Sequence, residues 1–564
     1  PPTTALYTLS LHDALPISSS FQKTLEGVKG TASYKLIADP DMLGFISALA
    51  ALEGDTEALK SRTRALLAVA RALSDTDGNP FEGNLALSVI GYTPDGVPEV
   101  DLAMKVIEPR SEKAWKLVDT VAGTLGVATV VPAGGGPGFV SNLVGGYMIS
   151  TLRQSPVSGL DGMSFTVNDN WMMMAGWPEL LERLNSASAV PPERSLASVS
   201  AFARDRADLK PGAVRWFFNY NHYHLATSKN AQQVPPENPE LGALAALNPF
   251  SNLNLYIDGI CGTMDFSGAD VIETTHISFL TEVEKLAPIS FLSDRPCNPA
   301  ITRFFPQNPA VAAIGSLDFS RISTDPLLTA VFGEHAQTFG LSAEDLSECV
   351  SSVGPDVGIY LSMKGFSPDA LFVATASGRE KITSVMDALS VREDIPVRVE
   401  KRELDGESYY MVRQPGSFTP TSLCISGDHL FIGPAASIKA AITRAGTGRN
   451  FAQSTDNAAL SQWILPDQSQ LAAFIDLRQF FGPAYASAMP ALLWELRAQG
   501  FNAPVPSPLS LLKAIRPFGV SVSRDSQSVT VRTAGNFNPV GLTAVNSVGG
   551  QDGKVLEIKV APPQ

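Results

Sequence analysis

The sequence predicts an α+β fold built as two tandem, internally duplicated lobes, each a mostly antiparallel sheet with packed helices. Three observations predict it. Runs that alternate apolar and polar residues come in adjacent pairs joined by short turns, the pattern of antiparallel hairpins. Stretches of helical periodicity follow those pairs, and the whole succession then occurs a second time. Hairpins adjacent in sequence favour an antiparallel sheet with helices on one side over a doubly wound parallel sheet. The 564 residues, 44% hydrophobic with a net charge of -14, are enough to bury a core without disulfides or a structural metal.

From the N-terminus, residues 1–20 (PPTTALYTLSLHDALPISSS) carry neither the basic start nor the sustained apolar run of a signal peptide. The stretch LYTLSLHDALPIS reads like translated sequencing adaptor, so the fold is expected to begin at Phe21, and an export signal would have been lost with the natural start. Lobe 1, residues 21–290, opens with the helical patterns DPDMLGFISALAAL (39–52) and TEALKSRTRALLAVARAL (56–73). The hairpin NLALSVIGYTPDG (84–96) and the helix EKAWKLVDTVAG (112–123) follow, then a neutral, glycine-rich segment, residues 121–152. Next comes MSFTVNDNWMMMAGWPELLERLNSA (163–187), a strand, turn, strand and Pro-opened helix, and after it the helix 195–206 and the strands 213–225 and 248–259.

Lobe 2, residues 291–564, repeats this order. VGIYLSMKGFSPDA (357–370) matches the first hairpin, with Ser367-Pro368-Asp369 standing where Thr93-Pro94-Asp95 stand and Pro fixing a turn in both. EKITSVMDALS (380–390) matches the helix, SLCISGDHLFIGPAASIKAAITRAG (422–446) the second hairpin and Pro-opened helix, LAAFIDLRQF (471–480) the strand at 213–225, and RPFGVSVSRDS (516–526) the strand at 248–259. The landmarks Gly91 and Gly365, Asp169 and Asp428, and Pro249 and Pro517 keep a similar spacing. Solenoid units run ~20 to 50 residues, so this much longer unit is a duplicated domain.

The chemistry-bearing patterns are few. Residues 121–152 hold no charged residue and eight glycines. A phosphate loop needs GxxxxGK[ST], and a dinucleotide turn needs GxGxxG opening a helix; neither is present. Pro132 and the glycine run stop the apolar stretch well short of a membrane-spanning helix. The segment's simplest reading is a buried strand with a glycine loop, but its counterpart in lobe 2, residues 391–408 (VREDIPVRVEKRELDGES), is crowded with charge. That contrast predicts different surroundings for the two copies, and marks Val130, Val131, Gly134, Gly135, Gly136 and Phe139 as an apolar contact region. Trp171, Met172, Met173, Met174 and Trp177 add an aromatic and thioether cluster. It reads first as core, and otherwise as the lining of an apolar pocket, with Trp171, Met173 and Trp177 the residues to watch.

His222 and His224 would share one strand face, yet two ligands do not make a metal site. Residues 74–80 (SDTDGNP) only faintly resemble a calcium loop and read as a turn. Asn168-Asp169 and Gly427-Asp428 are turn formers. Cys261, Cys297, Cys349 and Cys424 form no CxxC pair. No nucleophile elbow, HExxH helix or kinase motif set occurs, so no catalytic residue, cofactor or metal is assigned. The acidic balance, without a run of Lys and Arg, argues against nucleic acid.

The duplicated segments, above all 163–225 and 422–480, resemble a family of large bacterial proteins known as a domain of unknown function, over most of residues 30–550. The resemblance implies an exported protein with a duplicated α+β body and supplies no active site. The expected function is a non-enzymatic cell-envelope binding or scaffold protein whose partner is an apolar ligand, a membrane surface or an envelope protein. A carrier of a lipid or other apolar ligand is the alternative, and a hydrolase with a composite site the third reading.

Overall fold

The computed structural model of the chain describes residues 21–37, 81–92, 98–106, 138–144, 147–154, 162–168, 171–175, 212–218, 256–286, 289–320, 341–364, 367–404, 407–413, 420–448, 469–480 and 515–535, with a few short pieces between them. The helices expected over 56–73, 112–123 and 195–206, and all but the first residue of that over 39–52, lie outside the described residues, as do residues 74–80, His222 and His224. The fold is mixed α+β and mostly β. It divides into two compact units: Pro1–Lys29, Leu49–Trp216 and Phe537–Gln564 form one, Gly30–Ala48 and Phe217–Asn536 the other.

In the first unit, α1 (Phe21–Gly30) precedes β1 (Phe81–Tyr92), β2 (Pro98–Val106), β3 (Gly138–Val144), β4 (Tyr147–Arg153), β5 (Ser164–Asn168) and β6 (Trp171–Ala175). These strands form an antiparallel sheet in the order β1-β2-β6-β5-β4-β3. The two hairpins read from the sequence, β1–β2 and β5–β6, are kept and meet through β2 and β6; residues 138–153, expected as a buried strand beside a glycine loop, instead form a third hairpin, β3–β4, with β3 at the edge among the described strands. Strand β4 is buried on both faces: Ile149 and Thr151 point one way, Ser150 and Leu152 the other. Thr151 and Ser164 satisfy each other with a 2.9 Å hydroxyl hydrogen bond, which is what burial of two polar groups requires.

β7 (Val214–Phe218) straddles the boundary between the units. The second unit holds α2 (Ala32–Ile37), β8 (Ile257–Ser267), β9 (Asp270–Phe279), β10 (Val311–Ser316), α3 (Ala343–Ser351), β11 (Val353–Lys364) and β12 (Ser367–Ala376). It continues with α4 (Arg379–Ser390), β13 (Arg398–Leu404), β14 (Glu407–Arg413), β15 (Thr421–Ser426), β16 (His429–Gly433), α5 (Ala435–Thr447), β17 (Leu471–Ile475), β18 (Phe518–Arg524) and β19 (Ser528–Gly535). From β13 to β8 its sheet runs β13-β14-β15-β16-β12-β11-β10-β17-β18-β19-β9-β8, each neighbour antiparallel.

Three sequence expectations change here. Helices cover both faces of this sheet rather than one. In β16, Leu430 packs with Ile382, Met386 and Leu389 of α4, whereas its neighbour Phe431 packs with Ile438 and Ala441 of α5. Successive side chains of a strand point to opposite faces, so two consecutive buried residues require two covers. Pro368 lies inside β12, paired with Met363, and not in a turn. β12 meets β16 only from Phe372 to Thr375, so at Pro368 it has a single ladder neighbour and tolerates a residue with no N–H. Pro434 is the cap of α5 rather than its first residue, its carbonyl accepting from the amides of Ser437 and Ile438.

At the other end of the second unit, the β8–β9 and β18–β19 hairpins meet edge to edge. β9 and β19 pair from Val271↔Gly535 to Ser278↔Ser528, with Thr274↔Arg532 midway.

Candidate functional site: an edge hairpin with a charge-free tip

Of the residues marked in the sequence, Val130, Val131, Gly134, Gly135, Gly136 and Trp177 lie outside the described residues. Trp171 is the first residue of β6, paired with Lys105 and Asn168. Phe139 and Met173 are core residues, 4% and 1% exposed. Phe139 meets Phe165 edge-on at 5.2 Å between ring centroids, the T-shaped geometry aromatic pairs prefer. Around them the structure brings forward two residues that the sequence reading passed over, Leu143 and Met148.

These two face each other across the β3–β4 hairpin and are 72% and 48% exposed. The hairpin has a clear gradient. At its root Phe139 pairs with Leu152 inside the core; next, Ser141 and Ser150 share a 2.8 Å hydrogen bond; beyond them stand Leu143 and Met148, on the same face. The β4–β5 ladder ends at Ser150↔Phe165. One step further the buried Thr166 donates its hydroxyl to the Met148 carbonyl at 2.8 Å, tying down the ribbon where backbone pairing stops. The pairs Asn142↔Ile149, Leu143↔Met148 and Val144↔Tyr147 lie past that last rung. Ser141, Asn142 and Leu143 are all exposed, so neither face of β3 is covered there.

The β13–β14 hairpin of the second unit is also an edge, built from ions. β13 carries Arg398, Glu400, Lys401, Arg402 and Glu403. On one face Glu400 lies between Arg398 at 3.1 Å and Arg402 at 2.6 Å, and the hydrogen bond from Arg402 holds its carboxyl below the usual range. On the other face Lys401 reaches Asp387 of α4 at 2.8 Å, and the Tyr410 hydroxyl donates to the same carboxylate at 2.7 Å. Hydrogen bonds from Lys401 and then Tyr410 lower the Asp387 pKa, and the bond to Asp387 raises that of Lys401. Charged side chains on an edge strand are the usual protection against unwanted pairing. β3 has none.

One other polar group holds Cys, His and Asp together. His429 pairs with Thr375 and lies 4.9 Å from the Phe304 ring. Asn298 donates to Asp356 at 3.2 Å, and the charge of Asp356 acts on both His429 and Cys297. A nucleophilic pair needs a thiolate beside a basic imidazole. Burial instead pushes the Cys297 thiol up to about 11, and burial with the charge of Arg303 holds His429 below its ordinary value. Cys424 is likewise pushed up to about 11 by burial. These thiols are packed as apolar groups. Among the described residues, no three His, Cys, Asp or Glu stand together as metal ligands, and no helix is long and apolar enough to cross a membrane.

No protein-family model matches the chain, and no curated protein matches it. Among solved structures it is similar to the one titled "Structure of crystal form I of TP0453", at 11% identity and a TM-score of 0.23, over 45% of this chain and 87% of that one. A likeness at that score carries no argument about fold or activity.

Proposed function

We propose that the chain is a non-enzymatic binding or scaffold protein of the cell envelope, one α+β unit written twice, which makes contact through the charge-free segment of its first copy. The strand orders support the duplication. Counted from β1 the first sheet reads β1-β2-β6-β5-β4-β3, and counted from β11 the second reads β11-β12-β16-β15-β14-β13. The registers agree rung by rung: Val144↔Tyr147 answers to Leu404↔Glu407, Ser150↔Phe165 to Tyr410↔Leu423, and Asn168↔Trp171 to Ser426↔His429. This correspondence moves the turn match by one residue, aligning Asp169 with Gly427. Matching the hairpin β18–β19 to β8–β9 replaces the match of 516–526 with 248–259, and on it positions of β9 and β19 trade places across their ladder about Thr274↔Arg532. Lobes cut by sequence after residue 290 differ from units cut by compactness because the β8–β9 hairpin, in the first copy, belongs to the second unit's sheet.

The observation that carries the contact reading is the exchange of an exposed Leu143 and Met148 for Glu403 and Ser408 at the same rungs of the second hairpin. An exposed apolar pair on an unprotected edge is a liability that needs a use. Native mass spectrometry of the chain purified gently from its host tests the reading. The wild-type chain should retain a lipid or protein mass that the Leu143→Asp, Met148→Asp double variant loses while unfolding at the same temperature. A bare chain in both samples, or the same bound mass in both, overturns it.

A further inference from the structure

We infer that the surface received by the β3–β4 hairpin is the interface of a neutral lipid bilayer, into which Leu143, Val144 and Met148 dip. This rests on the reading of the hairpin as a contact region and names its partner.

The charge pattern selects lipid over protein. Addition of a partner's strand to an open edge asks only for free backbone groups, and side chains of either charge are compatible with it. Entry into the acyl boundary is different, because each charged group carried there loses its water. The second hairpin is ionic out to its tip, with Lys401, Arg402, Glu403, Asp405 and Glu407. At the matching positions the first hairpin has Ser141, Asn142, Leu143, Gly145 and Tyr147, all neutral, and it carries a charge only at its root, where Arg153 answers to Arg413. A protein interface would need some of the tip charges gone; an apolar phase requires the removal of every charge that enters it, and the root stays outside.

The dimensions select shallow insertion. Three rungs stand past the last β4–β5 pair, but Ile149 in the first of them is buried, so the outer two project. At ~3.4 Å per residue they reach about 7 Å, within the ~5–10 Å by which interfacial segments enter the headgroup and acyl boundary. Deeper burial is barred by the backbone. The outer edge of β3 has no ladder partner among the described residues, and such groups must stay where headgroups and water can bond them. The net charge of -14 and the absence of any basic residue in the hairpin tip remove electrostatic attraction to anionic lipid. Binding should therefore favour neutral vesicles and change little with salt.

Flotation of the full-length chain with phosphatidylcholine vesicles, with and without added phosphatidylglycerol, is the test. The wild-type chain should float with the neutral vesicles equally at low and high salt. The Leu143→Asp, Met148→Asp double variant should lose at least about tenfold of the bound fraction, as removal of both apolar groups predicts. Met148→Trp supplies a second readout: the emission of the introduced indole should shift to the blue with vesicles and be quenched by lipids brominated near the top of the acyl chain. Binding retained by the double variant, binding that needs anionic lipid, or an emission unshifted by vesicles in Met148→Trp overturns the inference. If the wild-type chain binds no vesicle, sedimentation velocity separates the two failures. Self-association lost in the double variant overturns the lipid partner and preserves the contact region, and identical sedimentation overturns both.

Discussion

Two residues show how closely the second unit is fitted. Gly358 in β11 stands against Phe305, which is fully buried; a Cβ there would lie 2.7 Å from Phe305 Cζ and 3.2 Å from Ile301 Cγ2. Gly358→Ala should destabilise the protein by about 1–3 kcal/mol through overpacking, read as a lower urea midpoint with an unchanged slope. His429 tests the polar group beside it. Its pKa is depressed below 6.5 by burial and then by Arg303, against the opposing pull of Asp428 and Asp356. A base with a depressed folded pKa contributes stability that is fully present above the unfolded value and is lost as pH falls through the folded one. Urea unfolding at pH 7.5 and at a pH below 6 should differ by less in His429→Asn than in the wild type. An equal difference in both would show that His429 does not carry it.

At the scale of elements, local signals were legible and distant ones were not. The hairpins β5–β6 and β15–β16 and helices α4 and α5 follow from alternation, turn residues and periodicity within a few residues of each other, whereas β3–β4, read as one buried strand beside a glycine loop, does not. Insertion of β5–β6 beside β2 and the meeting of β9 with β19 join segments far apart in the chain, and no local pattern encodes which apolar edge finds which. The second helix layer could have been read from Leu430-Phe431-Ile432, a run without alternation that implies burial on both faces. Leu143 and Met148 escaped because the charge-free segment was read as a whole; only the rung-by-rung comparison with Glu403 and Ser408 isolates them. Helix α3 offers an element-scale test. Ser342 accepts from the Asp345 amide at 3.0 Å while the Asp345 carboxylate accepts from the Ser342 amide at 3.3 Å, a capping box. Ser342→Ala should cost about 1 kcal/mol and speed amide exchange in the first turn of α3; unchanged exchange would rule out the cap as the source of order there.

For the molecule as a whole, β19 is the strand to break. It pairs with β18 on one side and β9 on the other, so a proline within it has no free edge to face. Val531→Pro should destabilise by ~3 kcal/mol or more, and a thermal midpoint close to that of the wild type would mean that this seam does not hold the second unit's sheet together. On the proposed duplication, the β9–β19 ladder pairs equivalent strands antiparallel, as the seam of a two-fold homodimer does. Joining two such subunits into one polypeptide would change what selection can do with them. In a true homodimer every substitution appears twice, so an adhesive hairpin on one subunit is an adhesive hairpin on both, and a particle with two sticky ends bridges surfaces and aggregates. Fusion of the proposed copies would end that constraint. With the two free to diverge, one edge could become ionic while the other shed its charges, and a single apolar hairpin could attach without cross-linking.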